Sequence, residues 1–300
     1  MLKELFSNSG WRGKLFQLLL ICLLFFTIGF LIWTIIFGYS NSLNSQKTLT
    51  FILSLAIFLF PVLFLSYFWY EKPVASLSLN KVPDILVMLE VILLIISIQP
   101  FINFLSFTNE QLELPGFLNN IENSLRISEQ KTSESIKLLL EATTFNGFIL
   151  NIFLFAILPA LSEELFFRGT MLNIFSEKYP KKITIWIVAA IFSVFHFQLF
   201  SFVPRLILGA LLGYLLYWTK SIWAPILAHL VNNLIGVAVS YYSTTYYRLN
   251  DLDSLGKGDT FVFALGSGIV SAIILWVIYM QTSSVRNSKP IHLKVNAGEG

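Results

Sequence analysis

Residues 161–169 read LSEELFFRG and lie within an otherwise apolar part of the chain. Residues 146–160 before them, NGFILNIFLFAILPA, contain no charged side chain. An ionisable side chain at the centre of a membrane helix costs about 2.5–3.5 kcal/mol on insertion scales. Glu163, Glu164 and Arg168 therefore need compensating partners inside the fold. This stretch therefore indicates a membrane helix and a position at which a functional site is expected.

The composition of the whole chain indicates a membrane-embedded protein. Of its 300 residues 56% are hydrophobic, 12% are charged and 29 are phenylalanine, whereas about a quarter of the residues of a soluble domain are charged. The net charge of +3 comes without a dense cluster of Lys and Arg, so no nucleic-acid partner is expected. A single cysteine, Cys22, excludes a disulfide within the chain and a cysteine-based metal centre.

The apolar segments predict an all-α fold, a polytopic membrane helix bundle of about eight transmembrane helices. A helix needs about 20 apolar residues to cross the hydrocarbon core, and helices satisfy their own backbone groups there. The first segment is longer than the apolar region of a signal peptide and is interpreted as a retained helix. The eight predicted spans are residues 15–38, 49–70, 82–105, 147–175, 183–199, 202–218, 222–241 and 261–280.

Two polar segments interrupt this pattern. Residues 106–143 are polar, with apolar side chains at helical spacing, and predict a short amphipathic helical insertion between spans three and four, acting as a connector or a lid. The tail after Met280 is polar and predicted to be disordered, so His292 within it is treated as a bystander. The predicted division is 1–143 for the N-terminal transmembrane helices and the insertion, 144–241 for a catalytic core, and 242–300 for the last helix and the tail.

Basic residues near the span ends predict the orientation. Lys and Arg are enriched on the cytoplasmic side of membrane proteins, and an even number of spans places three basic groups on one side. Both termini are therefore predicted to be cytoplasmic. The three groups are Lys3, Arg12 and Lys14; Lys178, Lys181 and Lys182; and Arg286, Lys289 and Lys294.

The charges of the opening stretch allow two interpretations. Glu164 and Arg168 are four residues apart, share a helix face and can pair, which leaves Glu163 free to face another group. In one interpretation the three side chains form a structural ion-pair cluster. In the other, Glu163 belongs to a functional site.

Two further segments favour a site. His196 lies late in the fifth span, and His229 lies in the seventh with Asn233 one turn later. Because polar groups buried in lipid seek one another, these three are expected to converge with Glu163 in one hydrated pocket. A buried carboxylate beside a neutral histidine can deprotonate water. A second histidine and an amide can hold the oxyanion of a tetrahedral intermediate.

The same groups leave the question of a metal open. Glu163, His196 and His229 match the ligands of a catalytic zinc ion, but the HExxH spacing is missing. No serine lies at a nucleophile elbow and no cysteine lies in these spans, so covalent catalysis is disfavoured.

Three motifs resemble those of one family. EELFFR resembles the EExxxR motif, FSVFH the FxxxH motif and HLVNN the HxxxN motif of CPBP intramembrane proteases, the bacterial relatives of the type 2 CAAX prenyl protease, also called Abi proteins. The resemblance covers roughly residues 145–240. It implies an eight-helix intramembrane endopeptidase in which Glu163 and His196 activate water and His229 and Asn233 stabilise the oxyanion. Glu164 and Arg168 would support the site, and the metal-free form is preferred.

The expected function is therefore hydrolysis of peptide bonds at or within the bilayer. The expected partners are the lipid bilayer and a membrane-associated peptide or protein, lipidated or not, and the expected location is a bacterial cytoplasmic membrane. Two alternatives remain open: a proton-coupled transporter that uses the buried Glu and His as a relay, and a non-catalytic scaffold or bacteriocin-immunity protein with the same fold.

Overall fold

The computed structural model describes residues 2–38, 40, 42–243 and 254–287. This part of the chain is a helical bundle without strands, so the predicted all-α membrane fold is confirmed. Helices α2 and α6 each run through π-helical turns, and two short helices and several 3₁₀ turns join the rest. The principal helices are α1 (Trp11–Phe37), α2 (Leu43–Trp69), α3 (Ile85–Ser97), α4 (Gln99–Glu110), α5 (Asn119–Leu140), α6 (Phe145–Ser176), α7 (Lys181–Val194), α8 (Phe202–Thr219), α9 (Trp223–Ser243) and α10 (Phe261–Asn287).

Six of these helices are long and apolar enough to cross a membrane, namely α1, α2, α6, α8, α9 and α10 among the described residues. The pair α3 and α4 adds a seventh span if its two parts, which meet at 41°, count as one. The predicted fifth span is shorter than expected: α7 has 14 residues, about 21 Å of helix. The chain turns soon afterwards at Phe197, which has a φ of 52°.

The bend between α3 and α4 coincides with Pro100. Proline has no backbone N–H and its ring clashes with the preceding turn, so a helix kinks there. The Nε2 group of Gln99 donates to the Ile95 carbonyl at 2.9 Å. This bond satisfies one of the backbone acceptors near the break. The bend therefore directs a polar side chain towards the interior of the bundle.

Helices α7 and α8 form the tightest pair around the site. A Cβ atom built on Gly209 would lie 3.2 Å from the Cα and Cβ of Ala189, and one built on Gly213 would lie 2.8 Å from Ile185 Cγ2. The small residues of the GALLG run, Gly209–Gly213, thus allow α7 and α8 to pack closely. Close approach of the two backbones brings the carbonyl of Gly209 next to the charges of α6.

Replacing Gly213 by alanine is expected to lower the stability of the protein, because the new methyl group overlaps Ile185. Overpacking of this kind costs about 1–3 kcal/mol. The thermal midpoint of the detergent-solubilised protein should fall, and Gly213→Ala should cost less in an Ile185→Ala background, which lacks the overlapping Cγ2. Gly236, where an added Cβ meets nothing within 4 Å, provides the control position, and an equal effect at both glycines would contradict this account.

The insertion forms one helix, α5, preceded by a 3₁₀ turn at Gly116–Leu118. No residue of α5 is buried, so it lies on the outside of the bundle. Glu129 accepts a hydrogen bond from the Phe200 N–H at 3.0 Å, and the Arg126 guanidinium lies 3.9 Å from the centre of the Phe200 ring. These contacts attach the middle of α5 to the turn between α7 and α8.

The beginning of α5 is expected to loosen at acidic pH. The Leu114 N–H and the Arg126 guanidinium hold the pKa of Glu122 below its usual range. A depressed pKa contributes stability that is present above the usual carboxyl range and is lost as the pH falls through the depressed value. Hydrogen exchange of residues 112–122 should therefore accelerate below about pH 4. The variant Glu122→Gln should exchange rapidly at all pH values.

The last helix is longer than predicted. Helix α10 continues past Met280 to Asn287, so the first residues of the expected tail are helical. Gln281 Nε2 donates to Glu90 Oε1 at 2.6 Å and ties this extension to α3. His292 and the rest of the predicted disordered tail, residues 288–300, lie outside the described residues.

Candidate active site

The ion pair predicted from the i, i+4 spacing is present in the middle of α6. Arg168 Nη1 lies 2.6 Å from Glu164 Oε1, and the two side chains are 1% and 0% exposed. Arg168 Nη2 also donates to the Gly209 carbonyl of α8 at 2.9 Å. Arg168 lies in a π-helical turn, Leu165–Met171, a feature that often occurs at functional sites. The pair thus connects α6 to the α7–α8 hairpin.

His229 of α9 completes this cluster. Its Nδ1 lies 2.9 Å from the same Glu164 oxygen that Arg168 binds. Because the Glu164 carboxylate accepts from Arg168, the His229 Nδ1–H is the donor in this contact. The histidine is therefore oriented with Nδ1 towards α6, and Nε2 remains for chemistry elsewhere.

Glu163 occupies a different position from its neighbour. It is partly buried, and its carboxylate lies within electrostatic range of His229, Glu164 and Arg168. The sequence predicted that Glu163 would meet the histidines, whereas the carboxylate that hydrogen-bonds to His229 is that of Glu164. The role of Glu163 as the general base stays a prediction.

His196 is held by its own helix turn. Its Nδ1 lies 2.8 Å from the Phe192 carbonyl oxygen, and since a carbonyl only accepts, Nδ1 carries the proton. In the neutral ring Nε2 is then the proton acceptor. The Phe192 ring packs edge-on to both histidines, with ring centres 4.9 Å from His196 and 6.0 Å from His229. One phenylalanine thus fixes the spacing of the two imidazoles.

The two histidines and Asn233 line one cavity of about 120 Å³, which has room for several water molecules. Three of the four predicted catalytic residues therefore share this space, and Glu163 lies nearby through its electrostatic contact with His229. None of the described residues that line the cavity is acidic. The lining is Ile95, Phe192, His196, Arg205, Leu208, Leu212, Ala228, His229, Asn232 and Asn233.

A chain of amides leads to Asn233. Gln99 Nε2 lies 3.3 Å from Asn232 Oδ1, and Asn232 Nδ2 lies 3.4 Å from Asn233 Oδ1. In this arrangement the Asn233 oxygen accepts from its neighbour. The Asn233 amide NH₂ is left as the donor that faces the cavity.

Sequence reasoning missed two of these polar groups. Gln99 carried a signal, because a proline follows it and a polar side chain beside a kink can replace a lost backbone bond. Asn232 forms an interhelical hydrogen bond with Gln99 and also lines the cavity.

The described residues contain no group of three or more His, Cys, Asp or Glu side chains arranged to hold a metal ion. The Glu164 carboxylate, which hydrogen-bonds to His229, already binds Arg168. Besides the two histidines, the polar groups of the cavity are an arginine and two amides, which are poor metal ligands. The metal-free form stays a prediction.

Comparison with known proteins supports the three motifs. Residues 145–235, just under a third of the chain, match the family model described as type II CAAX prenyl endopeptidase, Rce1-like. No curated protein and no solved structure matches the chain. Together with the apolar helices, this match shows an integral membrane protein. Over residues 145–235 the chain is therefore similar to the type II CAAX prenyl endopeptidases, Rce1-like, and this similarity indicates an intramembrane endopeptidase.

Proposed function

We propose that this protein is an endopeptidase that hydrolyses peptide bonds in the membrane with a water molecule activated by Glu163 and His196. The observation that carries the proposal is the small polar cavity in which two histidines from α9 and the end of α7 face one space with Asn233. His229 and Asn233 lie on α9, and His196 lies in the turn directly after α7. Burying them together has an energetic cost that a structural role alone does not explain.

The first step is activation of water. His196, with Nδ1–H bound to the Phe192 carbonyl, accepts a hydrogen bond from the water at Nε2. Glu163 takes the proton of that water as the oxygen attacks the carbonyl carbon of the scissile bond. Glu163 then returns the proton to the leaving amine nitrogen as the carbon–nitrogen bond breaks. The carboxylate ends the cycle ionised, as it began.

The second element is stabilisation of the oxyanion. The Asn233 NH₂ faces the cavity and donates to the developing negative charge. His229 binds Glu164 through Nδ1, so it donates to the oxyanion only when Nε2 is also protonated. The Glu164 carboxylate supplies the counter-charge for that imidazolium. Glu164 and Arg168 thus support catalysis by orienting His229 and do not contact the substrate.

The proposed chemistry is metal-free. An amide such as Asn233 is a poor zinc ligand and a good hydrogen-bond donor, and the described His and Glu side chains are not grouped around one point. The alternative zinc set is Glu163, His196 and His229. Chelation of the purified protein distinguishes the two forms of the enzyme.

The substrate is proposed to be a membrane-associated peptide or protein. The family description names prenylated CAAX ends, and we leave open whether the peptide must carry a lipid. The basic groups of the sequence favour cytoplasmic termini, and we propose that both termini lie in the cytoplasm and that the location is the cytoplasmic membrane of a bacterium.

The proposal is tested by incubating the purified protein with two peptides, a farnesylated cysteine peptide with three residues after the cysteine and its unlipidated counterpart, each with and without chelator. Cleavage that survives chelation is expected, with Glu163→Gln protein as the inactive control. Cleavage lost on chelation would support the zinc form. No cleavage of either peptide by correctly folded protein would favour the scaffold or transporter alternatives.

Replacing Asn233 by aspartate is expected to lower kcat by about 10²–10³-fold. The substitution keeps the shape of the side chain but replaces the donating NH₂ by an oxygen that repels the oxyanion. KM should change little, because the interaction forms in the transition state. The measurement is steady-state cleavage beside the folded yield, and an equal loss of both kcat and yield would contradict the assigned role.

A further inference from the structure

One cationic group of the cavity belongs to none of the three motifs. Arg205 lies in the first turn of α8 and lines the cavity beside His196, His229 and Asn233. Its charge is close enough to His196 to act on it electrostatically. The proposed hydrolysis needs no arginine at this point. A charged side chain held against the catalytic space therefore calls for a ligand of its own.

The hydrogen-bond partners of Arg205 are neutral. Its Nη2 donates to the side-chain oxygen of Gln198, and Nη1 lies 3.4 Å from the Ser201 carbonyl oxygen. A guanidinium has five N–H donors arranged as a planar fork that matches a carboxylate. These two contacts each use one N–H of a terminal nitrogen, so one N–H on each of Nη1 and Nη2 and the Nε–H remain as donors for a ligand.

The residues that line the cavity include the Arg205 cation and no acid, and Glu163 lies nearby. The polar side chains that line it are the arginine, two histidines and two asparagines. The acidic residue that acts on Arg205 electrostatically is Glu129, on the external helix α5. Its Oε1 atom accepts from the Phe200 N–H, so Glu129 is held at the turn outside the cavity. An anionic ligand that enters from the cavity meets a cation whose acidic neighbour does not line the cavity.

We propose that Arg205 is a carboxylate-binding subsite that positions the substrate peptide against the catalytic histidines. This inference rests on the proposed function. The carboxylate is either the free C-terminus of the peptide or the side chain of an Asp or Glu close to the scissile bond. In both cases the fork of Arg205 binds the two oxygens, and the low dielectric of the bundle strengthens the contact.

The test measures binding and needs no turnover. Three dansylated peptides, Gly-Leu-Ala with a free carboxylate, Gly-Leu-Ala amide and Gly-Glu-Ala amide, are titrated by fluorescence anisotropy into Glu163→Gln protein in detergent. We expect one of the two charged peptides to bind at least about tenfold more tightly than the uncharged amide, as charge-assisted hydrogen bonds give. The charged peptide that binds more tightly shows whether the carboxylate comes from a free C-terminus or from an acidic side chain.

Two further substitutions, each made in the Glu163→Gln protein, are expected to change the affinity for the charged peptide in opposite directions. Arg205→Gln should remove the preference for the charged peptide. Glu129→Gln, which keeps an oxygen that can accept from Phe200, should strengthen binding of the charged peptide several-fold because the competing anion is gone. Glu134→Gln removes an exposed charge from the same helix and should leave all affinities unchanged.

The outcomes separate this proposal from the proposed function. Equal affinities for the three peptides, including no measurable binding, would overturn the subsite whether or not the enzyme cleaves peptides. A preference for the charged peptide that persists in the Arg205→Gln variant would also overturn the subsite. If the Arg205→Gln variant does not fold, weaker binding of the charged peptide to the Glu129→Gln variant would overturn it. A preference that Arg205→Gln removes supports the subsite even if no peptide is ever cleaved.

Discussion

The Glu163→Gln variant is expected to lose about 10²–10⁴-fold in kcat, the contribution of a positioned general base. Glutamine has the shape of glutamate but accepts no proton from water. Glu163 is only partly buried, and its interactions with His229 and Arg168 are electrostatic, so removal of its charge should leave the fold intact. The measurement is single-turnover cleavage of whichever of the two test peptides, farnesylated or unlipidated, the protein cleaves, together with the yield of monodisperse protein.

The matched control for this variant is Glu134→Gln on α5, which removes an exposed carboxylate far from the cavity. It should retain full activity. If Glu163→Gln retained more than about a tenth of the activity, Glu163 would not be the base. The Glu164 carboxylate, which hydrogen-bonds to His229, would then be the candidate to examine.

The second large effect concerns stability. Arg168→Met is expected to destabilise the protein by about 3–5 kcal/mol, because removal of one partner of a buried ion pair leaves the other charge uncompensated. Glu164 is 0% exposed, so no solvent replaces the lost guanidinium. The change also removes the donor to the Gly209 carbonyl. A thermal melt of the protein in detergent should show a large fall in the midpoint.

A second pair in the same chain provides the comparison. Glu122 and Arg126 have the same i, i+4 spacing but lie at the surface of the bundle, with side chains 12% and 38% exposed, and surface pairs contribute little stability. Glu122→Gln should therefore lower the midpoint far less than Arg168→Met. The double variant Glu164→Gln with Arg168→Met should be more stable than Arg168→Met alone. A double variant that is less stable than either single variant would mean that the charges are not coupled.

The fold was predictable because hydrophobic length is a strong signal. The predicted spans coincide with helices or, for the third span, with the bent pair α3 and α4, and their ends differ by at most seven residues. The spacing of Glu164 and Arg168 predicted their pair. The π turns in α2 and α6 had no signal in the residue pattern. The end of α7 was missed because the chain turns at Phe197 with a positive φ, where a glycine would have been the usual marker.

The site was predictable as a set of residues but not as a network. Adjacent side chains on a helix point about 100° apart, so the sequence alone does not decide whether Glu163 or Glu164 meets His229. The tautomer of His196 depends on a carbonyl of its own helix turn, which no residue type encodes. Gln99 reaches Asn232 only because α4 bends at Pro100, and that contact joins residues far apart in the chain.

The length of α7 bears on how the reactant water arrives. Lys181 and Lys182 hold the beginning of this helix at the polar boundary, so its 14 residues end about two-thirds of the way through a hydrocarbon layer of roughly 30 Å. Lipids beside such a short helix must thin locally, or solvent must fill the shortfall. His196 lies at this end, so bulk solvent needs to penetrate only a shallow depression to reach it. The water molecule for each hydrolytic turnover would then reach His196 through this depression in the membrane beside α7.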